Sequence, residues 1–278
     1  MPDISTCSDG RLPGLIRLLG DQFGYQLRLL ARTPRTVFAG LLFPVVILIL
    51  RSSRNSGHTN GTEGAIVAGL LVFSVVTTAY LSHATGLVTA REAGVLRRWQ
   101  TTPLPSWCLF AGRMAAVGVL AAAGSAATVI VAIAAFGLNL GAGMLPGLLV
   151  AIAAGALAWA AAGTAVTPVV PSADAGSLLL SATYIPVMLF SGVLGPATGQ
   201  PAWLTTLVRY LPAQPMVDIA TRALQDTSGV APVPPRDLAV LAAWTVAGVL
   251  ASVRFFRWQP SRTARTRPAG KTRSATAH

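Results

Sequence analysis

The side chains able to do covalent, acid–base or metal chemistry are few, and their spacing joins none of them. His58, His83 and His278 lie far apart, and Cys7 and Cys108 form no CxxC and have no histidine at ligand spacing. Among the nine acids Glu92, Asp174 and Asp237 fall near the boundary of a long apolar run, and no two share a face within one where they would share a proton or hold a cation. Ser191 precedes Gly192 but has no histidine on a neighbouring run at a predictable depth, which argues against a serine nucleophile. AGKT at 269–272 ends as a phosphate loop does, yet the position that must be glycine is Arg265 and no strand precedes it. No catalytic, metal or cofactor site is expected in this chain.

What the residues do offer is polarity without fixed charge. Thr77, Thr78, Tyr80 and His83 in one apolar run, and Ser181, Thr183 and Tyr184 in another, suit a path for an amphipathic cargo. A single hydroxyl in such a run can equally bond back to its own helix. His83 and Arg113 carry more information because burying them costs more, although both lie near the end of a run, where snorkelling also accounts for them.

The elements that must position these residues follow from composition. In 278 residues, 53% are hydrophobic and 11% charged, less than half the charge of a soluble globular chain, about 25%. The apolar residues are gathered in runs near the roughly 20 residues that cross about 30 Å of hydrocarbon. The expected fold is an all-α integral membrane protein with six transmembrane helices, at about 36–50, 64–88, 108–136, 145–170, 175–194 and 238–256. The first is short; Pro44 would kink it, and Arg32, Arg35, Arg51 and Arg54 flank it for snorkelling. Before it, Leu12, Leu15, Ile16, Leu19, Phe23, Leu27 and Leu30 recur at helical steps with arginines between, an amphipathic helix over 11–33 in the headgroup plane. No secretory leader is expected, because the first long apolar run begins only at Thr36.

Between the second and third runs, TAREAGVLRRWQTTPLPSW breaks the hydrophobicity. Its spacing predicts a short helix beginning near Arg91 and lying along the membrane surface, closed by Pro103 and Pro105. Between the fifth and sixth runs, 195–236 predicts two short helices half immersed at one membrane face. Residues 1–258 form the transmembrane domain, and 259–278 a basic, disordered tail.

The net charge of +12 would suggest nucleic acid in a soluble chain. Here the basic residues flank the apolar runs, so no nucleic acid partner is expected; they set topology and meet anionic headgroups. With six spans and a cytoplasmic N-terminus, the inner segments hold 16 of the 21 Lys and Arg residues. Both termini and the Arg91–Arg98 segment are therefore expected on the cytoplasmic side, and 195–236 outside.

This order of features resembles the membrane subunits of type-2 ABC exporters, which include daunorubicin-resistance-type drug exporters and bacterial polysaccharide exporters. The resemblance runs from about 15 to 258 and is most specific in REAGVLRRWQTTPLP at 91–105. That segment is similar to the family's cytoplasmic signature, with Glu92, Gly94, Leu96, Arg97, Thr102 and Pro103 at the matching positions. In the family it is a coupling helix, which here would run from Arg91 and dock on the ATPase. PAWLTTLVRYLPAQPMVDIATRAL at 201–224 resembles the amphipathic stretch before the last span, SVRFFRW at 252–258 the usual ending, and the 11–33 helix the connecting helix. The chain departs from the pattern in its short first span and in the loop PSADAG, which lacks a basic residue.

The resemblance implies a permease subunit in a bacterial plasma membrane that exports hydrophobic or amphipathic molecules, with drug or antibiotic cargo foremost. It implies a separate ABC ATPase subunit carrying ATP and Mg, and a second permease chain as homodimer or heterodimer. The chain has no phosphate loop of its own, and a charged cytoplasmic helix is something a separate motor could grip. An ion-driven secondary transporter is the alternative; it requires an intramembrane carboxylate, and the runs as drawn contain none.

Overall fold

The computed structural model describes residues 20, 23–25, 28, 42–52, 60–94, 106–137, 141–193, 200–225 and 232–255. Within them the chain is helical: α1 Phe43–Ser52, α2 Asn60–Val76, a π-helical turn Thr77–Ser82, α3 His83–Glu92, α4 Ser106–Phe136, α5 Met144–Val166 with a 3₁₀ turn Thr167–Val169, α6 Ala173–Phe190, α7 Ala202–Val208, α8 Ala213–Gln225 and α9 Pro235–Phe255. Apolar runs become helices because hydrocarbon offers no partner for a backbone N–H or C=O, so each segment must satisfy its own. Glycine in the left-handed region ends three of them, Gly94 at φ 68°, Gly137 at φ 66° and Gly192 at φ 71°. Ser172 starts α6 by accepting the Ala175 N–H on its hydroxyl at 3.2 Å.

Among the described residues four helices are long and apolar enough to cross a membrane: Gly64–Glu92, Gly112–Ala134, Met144–Val169 and Pro235–Arg254. The apolar helix Ala175–Phe190 is shorter, but the 18 residues of α6 still rise about 27 Å at 1.5 Å each. It runs alongside α2 and α3, with Gly176 near Val88 at one end and the turn at Val193 against Gly69 at the other. Of the first predicted span, 43–50 is helical and continues to Ser52, while 36–41 lies outside the described residues. Phe43 of α1 meets Phe73 of α2 with ring centroids 5.2 Å apart.

The helix Gly64–Glu92 is the centre of the bundle: 83% of its most apolar stretch is buried inside the protein, against 11% for Pro235–Arg254, which turns most of its surface outward. Contacts set the directions of the others. Arg113 of α4 and Thr167 beyond α5 lie at the Glu92 end of this central helix, whereas Leu224 and Gln225 of α8 meet Gly64 at the opposite end. Thus α5 runs parallel to the central helix and α4 and α6 run against it.

Two expectations are corrected. The second span does not stop at Val88; it continues through α3 to Glu92, so Arg91 and Glu92 form the last turn of the span and not the first turn of a separate surface helix. The physical reason is the cap: Ala93 N–H bonds the Thr89 carbonyl and Gly94 N–H the Arg91 carbonyl, closing the helix only after Glu92. Residues 95–105, which hold Leu96, Arg97, Thr102 and Pro103, lie outside the described residues.

The second correction concerns α7 and α8. Expected half immersed with its apolar face toward lipid, α8 instead lies lengthwise against α2 and α5, with Gln225 beside Gly64, Ala223 beside Gly147 and Met216 beside Gly155. From Gly147 to Gly155 is eight residues of α5, about 12 Å of depth at 1.5 Å each. The linker between α7 and α8 lies deeper still, where the Trp244 indole N–H of α9 donates to the Tyr210 carbonyl at 2.7 Å. The apolar face of α8, including Met216, Ile219, Ala220 and Ala223, finds protein there instead of lipid. The N-terminal amphipathic segment is helical at the few positions described, and the tail 259–278 lies outside the described residues.

Candidate functional site

Polar side chains meet at three levels along the central helix. The first is the π-helical turn, where Thr77, Thr78 and Tyr80 are buried. A π turn widens the helix by one residue and re-aims the side chains that follow. Thr77 bonds back to the Phe73 carbonyl at 2.8 Å, as a lone hydroxyl in such a helix can. Tyr80 reaches across to α6, its hydroxyl 2.7 Å from that of Thr183. The Thr183 proton is directed to the Leu180 carbonyl at 2.7 Å, so Tyr80 is the donor of the pair. The Tyr80 ring stands edge-on to Trp159 of α5 at 5.5 Å and tilted to Tyr184 of α6 at 6.4 Å. Thr183 is exposed, Ser181 and Tyr184 half-buried, and the indole N–H of buried Trp159 has no hydrogen-bond partner. A hydroxyl-and-aromatic seam thus opens from the interior to the outer surface of this chain along α6.

The second level is a chain of hydrogen bonds through His83, fully buried where α3 begins. Arg113 Nε–H donates to His83 Nδ1 at 3.2 Å, and Arg113 Nη2 to the His83 carbonyl at 3.1 Å. With Nδ1 accepting, the ring proton belongs on Nε2, which donates to Thr164 Oγ1 at 3.0 Å, and Thr164 in turn donates to the Ala160 carbonyl at 2.8 Å. The network therefore holds His83 as the neutral Nε2–H tautomer. Gly86 makes room for it, since a Cβ there would come within 2.5 Å of Arg113 Nη2. Snorkelling does not account for His83 or Arg113: the arginine is 3% exposed and turned inward.

The third level is Arg91, 4% exposed. Its Nη1 donates to the Thr167 carbonyl at 3.0 Å and its Nη2 to the Val170 carbonyl, the last acceptors beyond α5. A cation belongs there, because a helix C-terminus leaves carbonyls unsatisfied and carries the negative end of its dipole. Glu92 and Ala93, next in the chain, are exposed. Neighbouring residues of the predicted coupling segment thus have opposite fates, Arg91 bound inside and Glu92 on the surface.

The structure accordingly joins Tyr80 with Thr183 and Tyr184, leaves Thr77 to its own helix, and assigns His83 to an interhelical bond. It adds residues that sequence reasoning missed. Trp159 and Thr164 sit in the Ala-rich run 145–170, where one indole and isolated hydroxyls formed no pattern to single them out. Asp218, half-buried on α8 and accepting from the Gln214 amide at 3.0 Å, is carried toward the bundle by the hairpin. Among the described residues no group of His, Cys, Asp or Glu is placed to hold a metal ion.

None of the curated proteins matches this chain. The family model described as ABC-2 type transporter matches residues 23–224, which include the central helix, the hydroxyl seam, the His83 network and nearly all of the α7–α8 hairpin. The chain belongs to the ABC-2 type transporter family and is an integral membrane permease subunit of an ABC exporter, of the kind that works with an ABC ATPase partner.

Proposed function

We propose that this permease moves hydrophobic or amphipathic molecules, drug- or antibiotic-like ones foremost, out of a bacterial cell. ATP and Mg are bound by a separate ATPase subunit that docks on the turn after Glu92 and on the segment containing Gly94, Leu96, Arg97, Thr102 and Pro103. The Glu92 end and both termini face the cytoplasm, and the α7–α8 hairpin enters from outside. The observation that carries the reading is the seam of Tyr80, Thr183 and Tyr184, which supplies hydroxyls and aromatic faces but no carboxylate to a surface where a second permease chain would complete the path. Such a lining matches a cargo that is large, apolar and weakly polar, and it offers an ion no counter-charge.

The test is purification of the tagged chain from its native membrane in mild detergent, with identification of co-purifying proteins and an ATPase assay. Recovery of a phosphate-loop ATPase, lost on Glu92→Arg together with Gly94→Leu, is the expected result; a chain that transports without any ATPase sinks the reading. The ion-driven alternative has one observation on its side, the half-buried carboxylate of Asp218 on an inserted hairpin. Asp218→Asn should leave ATP-dependent transport in place, whereas an ion-coupled carrier would lose its ion dependence with that carboxylate.

A further inference from the structure

We propose that Arg91 is a positioning residue of the transport cycle, the pin that ties the motor-facing turn after Glu92 to the end of α5, so that displacement of that turn travels along α5 to the α7–α8 hairpin. This rests on the exporter reading above.

Arg91 is the last buried residue before the chain emerges at Glu92, and its guanidinium holds two carbonyls, of Thr167 and Val170, at once. A planar fork engaged at two points fixes direction as well as distance, which a single ammonium on a flexible stem does not. A push on the exposed turn is therefore delivered to the end of α5 through one side chain of fixed shape.

The competing route, straight up the central helix, is interrupted by the π-helical turn at Thr77–Ser82. That irregularity is a natural place for the helix to bend. Immediately on the Glu92 side of it, His83 is bonded to Thr164 of α5 and to Arg113 of α4. Hence α3 and the adjoining end of α5 are joined at two levels, about two helical turns apart by the eight residues from His83 to Arg91. They form one body below a hinge.

The far half of α5 meets α8 at a close contact of small residues, with the adaptable Met216 filling the space further along. A Cβ on Gly155 would collide with the thioether of Met216, and one on Gly147 would stand 2.7 Å from Ala223 Cβ. Contacts that close transmit displacement because packed interiors resist compression. The route is Glu92 turn, Arg91, the Thr167 and Val170 carbonyls, α5, the Gly147–Ala223 contact and α8.

The experiment uses the complete permease–ATPase complex in liposomes, with Cys7→Ser and Cys108→Ala and one cysteine introduced by Arg222→Cys, an exposed position on α8. A membrane-impermeant maleimide is applied from the hairpin side, without nucleotide and after trapping with ATP and vanadate. The parent should show a severalfold difference in labelling rate between the two states. In R91Q the difference should fall by more than half, the His83–Thr164 tie being left, while the ATPase still co-purifies and hydrolyses ATP, and R91K should restore part of it. Should R91Q fail to insert, R91K decides. An R91Q or R91K protein with the parent's full difference overturns the pin alone, as does a parent that shows no difference; absence of an ATPase from the parent overturns the exporter reading and the pin with it.

Discussion

Arg113 grips His83 twice, by its Nε–H to the ring Nδ1 at 3.2 Å and by Nη2 to the main-chain carbonyl at 3.1 Å. The pair joins α4 to the central helix directly below the π-helical turn, and the other face of the imidazole joins both to Thr164 of α5. Truncating either partner strands polar groups in a place where water is scarce. Arg113→Leu should destabilise the folded permease by about 2–3 kcal/mol, and Thr164→Val by about 1 kcal/mol because it removes a single acceptor. Unfolding of the purified protein in detergent, followed by tryptophan fluorescence, measures both; equal losses for the two would contradict the double grip.

Glycine 69 and glycine 155 both sit where a Cβ would collide, but with different neighbours. At Gly69 the obstacle is the Val193 backbone, whereas at Gly155 it is the end of the flexible Met216 side chain. Gly69→Ala should therefore cost about 1–3 kcal/mol as an overpacked contact. Gly155→Ala should cost less, because a methionine can adopt another rotamer. The same unfolding assay ranks them, and the reverse order would show that the Ser191–Val193 turn moves more freely than its contacts indicate.

Tyr80→Phe deletes the 2.7 Å bond to Thr183 and leaves the ring against Trp159. Cargo preference should shift while ATPase association stays unchanged, and Tyr80→Ala should shift it further by removing the ring as well. Transport of a panel of amphipathic dyes by Tyr80→Phe vesicles is the measurement. A profile identical to the parent's for every dye in both variants would take Tyr80 off the path.

Gly94 caps α3 at φ 68°, a conformation that costs an L-residue about 1–2 kcal/mol. Gly94→Leu and Glu92→Arg should leave membrane insertion intact and lower ATP hydrolysis coupled to transport, Gly94→Leu by redirecting the chain that follows and Glu92→Arg by reversing an exposed charge. Fractionation reports insertion and a coupled assay reports hydrolysis. Full coupled hydrolysis in both variants would place the motor contact elsewhere.

The helices were legible because a bilayer leaves little choice: an apolar run with no solvent partner must satisfy its backbone internally, so α4, α5, α6 and α9 begin and end within a few residues of the runs that announced them. Tyr80, Thr183 and Tyr184 were legible for the same reason, as polar groups out of place in hydrocarbon. Arg91 was legible as a basic residue at a membrane boundary but not as a buried one. Its direction depends on where the end of α5 lies, 76 residues further along the chain.

Local composition by itself determined that this chain lives in a membrane, which stretches are helical and which segment resembles a coupling signature, because hydropathy and periodicity act over one or two dozen neighbouring residues. Only the tertiary structure decided that α8 buries its apolar face against α2 and α5, an amphipathic helix being equally suited to lipid or protein. It also decided that His83 bonds Thr164 and Arg113, and that Gly69 and Gly155 are contact points. Those are relations between residues distant in the chain, and their energies arise only when packing brings the partners within hydrogen-bond or van der Waals distance.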